Sequence, residues 1–441
     1  MHIGLWLTYL EGLGGWRLPD SGAEDFNSIE PYAEIARLAE RGKLDAVIRG
    51  DGVGIEPRLA GRHPSGGLEL ITLLSALAAR TEKVGLIGTV STTFSDPYNV
   101  ARQLASLDHL SRGRVGWNIV TSSGGERNFG YVDIPDQDER YERADEYIEV
   151  ATALWDSWEP GSVVLDRERG IYADADRIHP IDHVGKHFRV AGPLNVSRSP
   201  QGRPVLIQAG SSERGRQFAA KHAEVIFTAA QTFESAHEFY TDVRGRIRAE
   251  GRDPDAVKIL PGVSLFLADT DDEARRLHRA RLDLIDVEEG LKVLQKAIGD
   301  ADLSGLDLDR PVPADRLPDT STLARRQSRP QIFVDLAKEH GYTLRQLIHT
   351  AVSTNGHGQV VGGPETIAER LIAWYRDGAA DGYVLFPALG FRSIHVFVEQ
   401  VLPILRAEGL FRTEYEGSTL REHLGLDPVP QRARTSALAA S

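Results

Sequence analysis

The sequence predicts an α/β fold, a closed TIM (β/α)8 barrel with insertions, and three observations carry that prediction. Short β-rich apolar runs alternate with longer segments of helical period, the pattern of parallel strands joined by helices. Eight strand candidates can be counted, most followed by a helix, which favours ring closure over an open doubly wound sheet. The 441 residues, 41% apolar and 26% charged, suffice for one large barrel, so length alone does not call for a second domain.

The first strand is expected at residues 2–7, His2-Ile3-Gly4-Leu5-Trp6-Leu7, and the first helix at 31–41, where Ile35, Ala36, Leu38 and Ala39 share one stripe. Residues 45–50 read as the second strand and 68–80, rich in Leu and Ala, as the second helix. The run 84–90 has the continuous apolar character of a strand buried on both faces. Pro97 opens the third helix, where its missing N–H costs nothing, and Ser111-Arg112-Gly113 ends it. Strand four is placed at 115–121 and the following helix at 141–158. Later strands are expected at 204–209, 224–228, 259–268 and 382–386. Two stretches break the rhythm, 159–203 with its turn signals and 285–358 with a polar, Asp/Pro-rich middle. Barrels carry such insertions, and function with them, at the C-terminal face of the strands. Residues 1–430 thus read as one domain and 431–441 as a flexible tail.

Composition narrows the class of partner. A formal charge of −13 disfavours nucleic acid and anionic membrane surfaces, since neither polyanion gains from an acidic protein. With no cysteine, disulfides, thiolate nucleophiles and Cys-ligated metals are excluded. No apolar run reaches the roughly 18 residues that span a bilayer, and the chain starts without a basic leader, so a cytoplasmic enzyme acting on a small molecule is expected.

The end of strand four presents Asn118, Thr121 and Ser122. Polar groups at the mouth of a barrel are placed to hold a ligand, although capping the next element would use the same residue types. Gly210-Ser211-Ser212 follows strand five and opens a helix, where backbone N–H groups and hydroxyls face an anion; a plain serine cap is the simpler alternative. His179, His183 and His187 are spaced by four, but Pro180 and Gly185 argue against the helix that would align them as metal ligands. Gly12-Leu13-Gly14-Gly15 lacks the helix of a dinucleotide fingerprint, and Gly362-Gly363-Pro364-Glu365 reads as a proline-started helix.

Ser91-Thr92-Thr93 through Pro97-Tyr98-Asn99, the run Ser111-Arg112-Gly113-Arg114-Val115-Gly116-Trp117-Asn118-Ile119-Val120-Thr121-Ser122, and Asn128-Phe129-Gly130 together resemble the nitrilotriacetate and dibenzothiophene-sulfone monooxygenase branch of the luciferase-like superfamily. The likeness continues through Arg140-Tyr141, Leu154-Trp155-Asp156-Ser157-Trp158, His179-Pro180-Ile181-Asp182-His183, Gly192-Pro193-Leu194-Asn195, Gln208-Ala209-Gly210-Ser211-Ser212 and Tyr415-Glu416-Gly417, nearly the whole chain. It implies the oxygenase component of a two-component monooxygenase that takes reduced FMN from a separate NAD(P)H flavin reductase and uses O2 to oxidise a small organic substrate. A homodimer or tetramer is implied by the same analogy. Ser211, Ser212 and Tyr141 match the family's phosphate contacts, and Asp51, Thr89 and Asn118 its isoalloxazine and ribityl contacts. Where the family usually has a histidine four residues before the tyrosine, this chain has Gln137, which donates a hydrogen bond but carries no charge.

Two other departures lie near the same mouth. Glu11-Gly12 stand where relatives often place a His pair, and Arg49 stands where they tend to be apolar or aromatic. A cation beside a water-excluded site needs a partner, so Arg49 pairs with Asp51, with another carboxylate, or with an anionic substrate. His357, at the end of the second insertion, is the candidate catalytic group for proton transfer. Two rival readings keep the fold: a deazaflavin F420-dependent oxidoreductase, and a flavin-binding protein without turnover.

Overall fold

A computed structural model describes residues 1–10, 14–18, 21–64, 66–122, 124–320, 323 and 328–429; the expected tail at 431–441 and the Glu11-Gly12 departure lie outside the described residues. Strands β1 (His2–Trp6), β2 (Ala46–Arg49), β3 (Gly85–Ser91), β4 (Val115–Val120), β5 (Val205–Gln208), β6 (Val225–Ala229), β7 (Lys258–Leu267) and β8 (Gly382–Pro387) pair in sequence, all parallel. The ring closes where β8 meets β1, with His2 opposite Gly382 and Leu5 opposite Leu385. The barrel expected from the alternation is therefore present, with every expected strand within a few residues of its place.

Period-two alternation gives the barrel two apolar layers. Leu5, Val47, Leu86, Trp117 and Leu385 face outward into the core shared with the helices. Ile48, Ile87, Val205, Ile207, Val225, Leu260 and Val384 fill the interior. Gly116 makes room for them: a Cβ there would lie 2.7 Å from Ile207 Cδ1 and 2.8 Å from Ile87 Cγ1. The floor is closed by a late segment of the chain. The short helix Leu420–His423 brings Leu420, Leu424 and Leu426 into the inner layer. Leu420 N–H donates to Gly113 O at 3.0 Å, and Arg421 pairs with Glu224 at 2.6 Å.

The helices between strands begin where their caps dictate. Helix α1 covers Glu30–Arg41; α2, Leu70–Ala78, is capped by Glu69, whose carboxylate accepts from Ile71 and Thr72 N–H, so it starts two residues later than expected. Asp96 caps α3 (Pro97–Leu110). Helix α4 runs Gln137–Trp155 because Asp136 accepts from Glu139 N–H at 2.8 Å. The expected start at 141 is thus corrected: Gln137 is the first helical residue and Tyr141 lies one turn inside. Helices α5 (Glu213–His222), α6 (Phe233–Ala249) and α7 (Asp271–Leu282) follow β5, β6 and β7.

The insertions are more ordered than their composition suggests. Residues 159–203 carry two small hairpins, Val163–Asp166 with Ile171–Ala173 and His183–Val184 with Arg189–Val190. The second insertion holds helices α8 (Val287–Ala297), α9 (Ser328–Lys338) and α10 (Leu344–Ser353), which pack Leu294, Ile298, Phe333, Leu336, Leu347 and Ile348 into a core of their own. A ninth strand, Gly358–Gly362, was not expected. It pairs with the second half of the long β7, Val263 to Leu267, where β6 has already left that edge. Helix α11 (Pro364–Arg376) then leads to β8, as the Gly-Gly-Pro-Glu run predicts. Among the described residues, no helix is long and apolar enough to cross a membrane.

Candidate active site

The site is assembled by the last inward positions of the strands. Continuing the alternation past Ile87 and Gly116 turns Thr89 and Asn118 inward on adjacent strands at the same level, Thr89 opposite Asn118 in register. Asn118 Nδ2 donates to Thr89 Oγ1 at 2.8 Å, and Thr89 Oγ1 donates to Arg49 O at 3.2 Å. Both side chains are buried. Asn118 Oδ1 is left sealed without a hydrogen-bond partner. An orphaned amide oxygen costs about 1–3 kcal/mol, so the protein keeps an acceptor ready for a donor it does not itself supply.

Across the ring, Trp6 of β1 and Phe386 of β8 meet at 4.9 Å between ring centroids. His357, just before the ninth strand, stacks on Phe386 at 4.6 Å and on Phe227 of β6 at 5.2 Å. Gln231 Nε2 donates to the His357 carbonyl at 2.8 Å. The imidazole is 4% exposed, and burial, with the Arg329 guanidinium adding to it, drives its pKa well below that of a free histidine. It is a neutral ring at physiological pH. The sequence offers the components of this wall as isolated aromatics; only closure of the barrel brings residues 6, 227, 357 and 386 together.

The second half of the site lies where α4 and α5 begin. Gln208, ending β5, accepts from Gly210 N–H at 2.6 Å and fixes the turn. Ser212 caps α5, its Oγ accepting from Gly215 N–H at 3.2 Å and from Gln137 Nε2 at 3.1 Å. The Ser212 hydroxyl also hydrogen-bonds the Tyr141 side chain, which ties the cap of α5 to α4. The Tyr141 hydroxyl stands over the same turn, 3.0 Å from where a Cβ on Gly210 would be and 2.9 Å from one on Gly215. Burial raises the Tyr141 pKa against the nearby Ser212 and Thr121 hydroxyls, so it stays a donor. The N-terminus of α5 and these hydroxyls line one glycine-bounded cradle suited to an anion. Ser211, partly exposed, lies on its rim.

The other expected residues are less close. The alternation that turns Ile48 inward turns Arg49 outward, where its guanidinium lies 4.8 Å from the Tyr32 ring centroid and donates to Leu7 O at 2.9 Å. The structure does not bring it to the side shared by Thr89 and Asn118. Asp51 stands on the loop beyond β2, its carboxyl pushed up by desolvation and by Glu69, against a Gly52 N–H bond and Arg49. Of the three spaced histidines, His179 pairs with Glu159 at 2.7 Å and His183 with Glu146 at 2.9 Å, on separate carboxylates.

The luciferase-like monooxygenase family matches residues 10–381. The chain belongs to that family. It is 43% identical over 436 residues to N-acetyl-S-(2-succino)cysteine monooxygenase of Bacillus subtilis, covering 97% of this chain and 98% of the relative. Nitrilotriacetate monooxygenase component A of Aminobacter aminovorans is 42% identical over 441 residues, covering 97% of this chain and 96% of that one. A riboflavin lyase solved with modified FMN and riboflavin superposes with a TM-score of 0.84 at 34% identity, covering 97% of this chain and 96% of its own. Family membership makes the chain a monooxygenase, and the resemblance carried by its motifs is thereby confirmed at the level of family and fold.

Proposed function

We propose that the chain is the oxygenase component of a two-component system, taking reduced FMN from a separate NAD(P)H flavin reductase and using O2 to oxidise a small organic substrate. The observation that carries this reading is the sealed, unpartnered Asn118 Oδ1, an acceptor matched to the imide N–H of an isoalloxazine. The anion cradle at Ser212 stands at the adjoining β5 end of the same mouth, as a flavin with a phosphate tail requires. The residues present therefore fit the group. Ser211, Ser212, Tyr141 and Gln137 would hold the phosphate, and Thr89 and Asn118 the ring and ribityl chain, with Asp51 farther out on the loop beyond β2. When bound, reduced flavin supplies the electrons that activate dioxygen.

The protein contributes binding, orientation and dryness. Thr89 fixes the Asn118 amide so that its oxygen, not its nitrogen, faces the ligand. Trp6, Phe227 and Phe386 line the opposite wall and keep water from it. One relative is named as component A of its monooxygenase, which supports a partner component. Mixing reduced FMN with O2 in the presence and absence of the chain, followed by stopped-flow absorbance, tests the proposal, with F420 as the control cofactor. A chain-dependent change in the rate of flavin oxidation is expected; oxidation identical to that of free reduced FMN, or failure of the protein to bind FMN, would overturn it.

A further inference from the structure

Three groups at the mouth have polar atoms facing inward, and two are already committed as donors. Asn118 Nδ2 donates to Thr89, and Thr89 donates to Arg49 O. One of the two N–H groups of Asn118 Nδ2 is thereby used, and the unpartnered atom of the β3–β4 wall is an acceptor, Asn118 Oδ1. The oxidised isoalloxazine, the form used in the titrations below, carries one imide donor but several acceptors, so a complementary site supplies a donor elsewhere. In a ring of eight strands β4 and β8 lie opposite each other, and the polar group on the far wall is His357, stacked on Phe386 of β8.

The orientation of that ring is fixed by its packing. Its Nδ1 edge backs onto Gly262 of β7, where a Cβ would come within 2.5 Å of Nδ1, and Nδ1 is sealed with no hydrogen-bond partner. Nε2 is the nitrogen at the accessible edge. A buried N–H without an acceptor is rarer than a buried acceptor without a donor, so the proton belongs on Nε2. Gly262 allows this seating, since any side chain there would push the imidazole away from Phe227 and Phe386, which it meets side by side.

We propose that His357 is a cofactor-contact residue whose Nε2–H donates a hydrogen bond to an acceptor atom of the flavin ring, across the mouth from Asn118. The assignment rests on the FMN reading above. It gives His357 a fixed donor role in place of a proton shuttle, because a ring sealed among aromatics takes up a proton with difficulty.

The test uses the full chain and FMN itself. His357→Phe keeps an aromatic ring in the stack and removes only the donor; a neutral hydrogen bond of about 0.5–1.5 kcal/mol corresponds to roughly 2- to 13-fold weaker FMN binding by fluorescence titration. His357→Gln, which keeps an N–H, should recover part of that loss. In nitrogen-15 spectra of histidine-labelled wild type, His357 should show the Nε2–H tautomer, remain neutral below the roughly pH 6.5 at which a free imidazole ionises, and shift on FMN addition. Equal FMN affinity in His357→Phe, an Nδ1–H tautomer, or an unmoved His357 signal would each overturn the inference. Wild type that binds no FMN would overturn the functional reading itself and this inference with it.

Discussion

Gly215→Ala separates the phosphate cradle from the rest of the site. Gly215 is the third residue of α5, and a Cβ there would lie 2.9 Å from the Tyr141 hydroxyl and 3.0 Å from Gly210 C and Cα. The ring of Tyr141 is packed against Phe218 at 5.3 Å and buried on α4, so it has little freedom to swing away. Either the hydroxyl or the Gly210 turn must move, and both line the cradle. Displacing one charge-assisted hydrogen bond costs about 1.5–3 kcal/mol, which is roughly 10- to 150-fold in FMN affinity. Folding should not suffer equally, because alanine favours a helix over glycine by about 1 kcal/mol. Parallel fluorescence titrations with FMN and riboflavin isolate the effect, since riboflavin lacks the phosphate. FMN should weaken while riboflavin holds; equal losses, or none, would refute the placement of the phosphate.

Asn118→Leu should raise the thermal stability of the free protein by removing the orphaned oxygen, by up to about 1–3 kcal/mol, while lowering FMN affinity; a stability loss would show that the oxygen is satisfied. Ser212→Ala should cost about 1 kcal/mol through the lost cap of α5 and weaken FMN more than riboflavin, checked by denaturant melts beside the titration. Asp108, wholly buried beneath the barrel, has its carboxyl pushed up to about 6 by desolvation, against hydrogen bonds from Val115 N–H and Gln201. The folded state therefore binds that proton more tightly than the unfolded chain, and stability falls as pH rises from about 4 toward 6, by up to about 3 kcal/mol. Asp108→Asn should remove that slope and gain stability at neutral pH in urea melts. Arg49→Met tests the substrate expectation: loss of binding of an anionic substrate with FMN affinity kept would support it, and unchanged binding would leave Arg49 as a brace on Tyr32 and Leu7.

The strands were legible because each carries its apolar character locally. Val84 to Val90 needs no partner to look like a buried strand, and Gly210-Ser211-Ser212 announces a helix start by itself. The start of α4 carries a local signal of the same kind, an aspartate at 136 followed three residues later by Glu139. The strand Gly358–Gly362 has two glycines in five residues and takes its place by pairing with β7 and packing under α7 and α11. The second insertion hid its helices behind charge, although Leu344, Leu347, Ile348 and Ala351 have helical spacing. The aromatic wall was illegible in principle. Trp6, Phe227 and Phe386 each look like core residues, and their meeting depends on ring closure across most of the chain.

That closure also sets when the enzyme comes into being. The first strand finds its second neighbour only when β8 arrives some 380 residues later, and the bottom stays open until Leu420 to Leu426 dock beneath it. Loop-closure entropy must be met before those distant contacts repay it. In this topology β1 lacks one of its two partners until β8 is in place, and the interior lacks its floor until the segment from Leu420 to Leu426 docks. Residues far from any ligand, such as Arg421 and Glu224, then govern how much protein matures, and substitutions there should lower yield without altering what the finished molecules do.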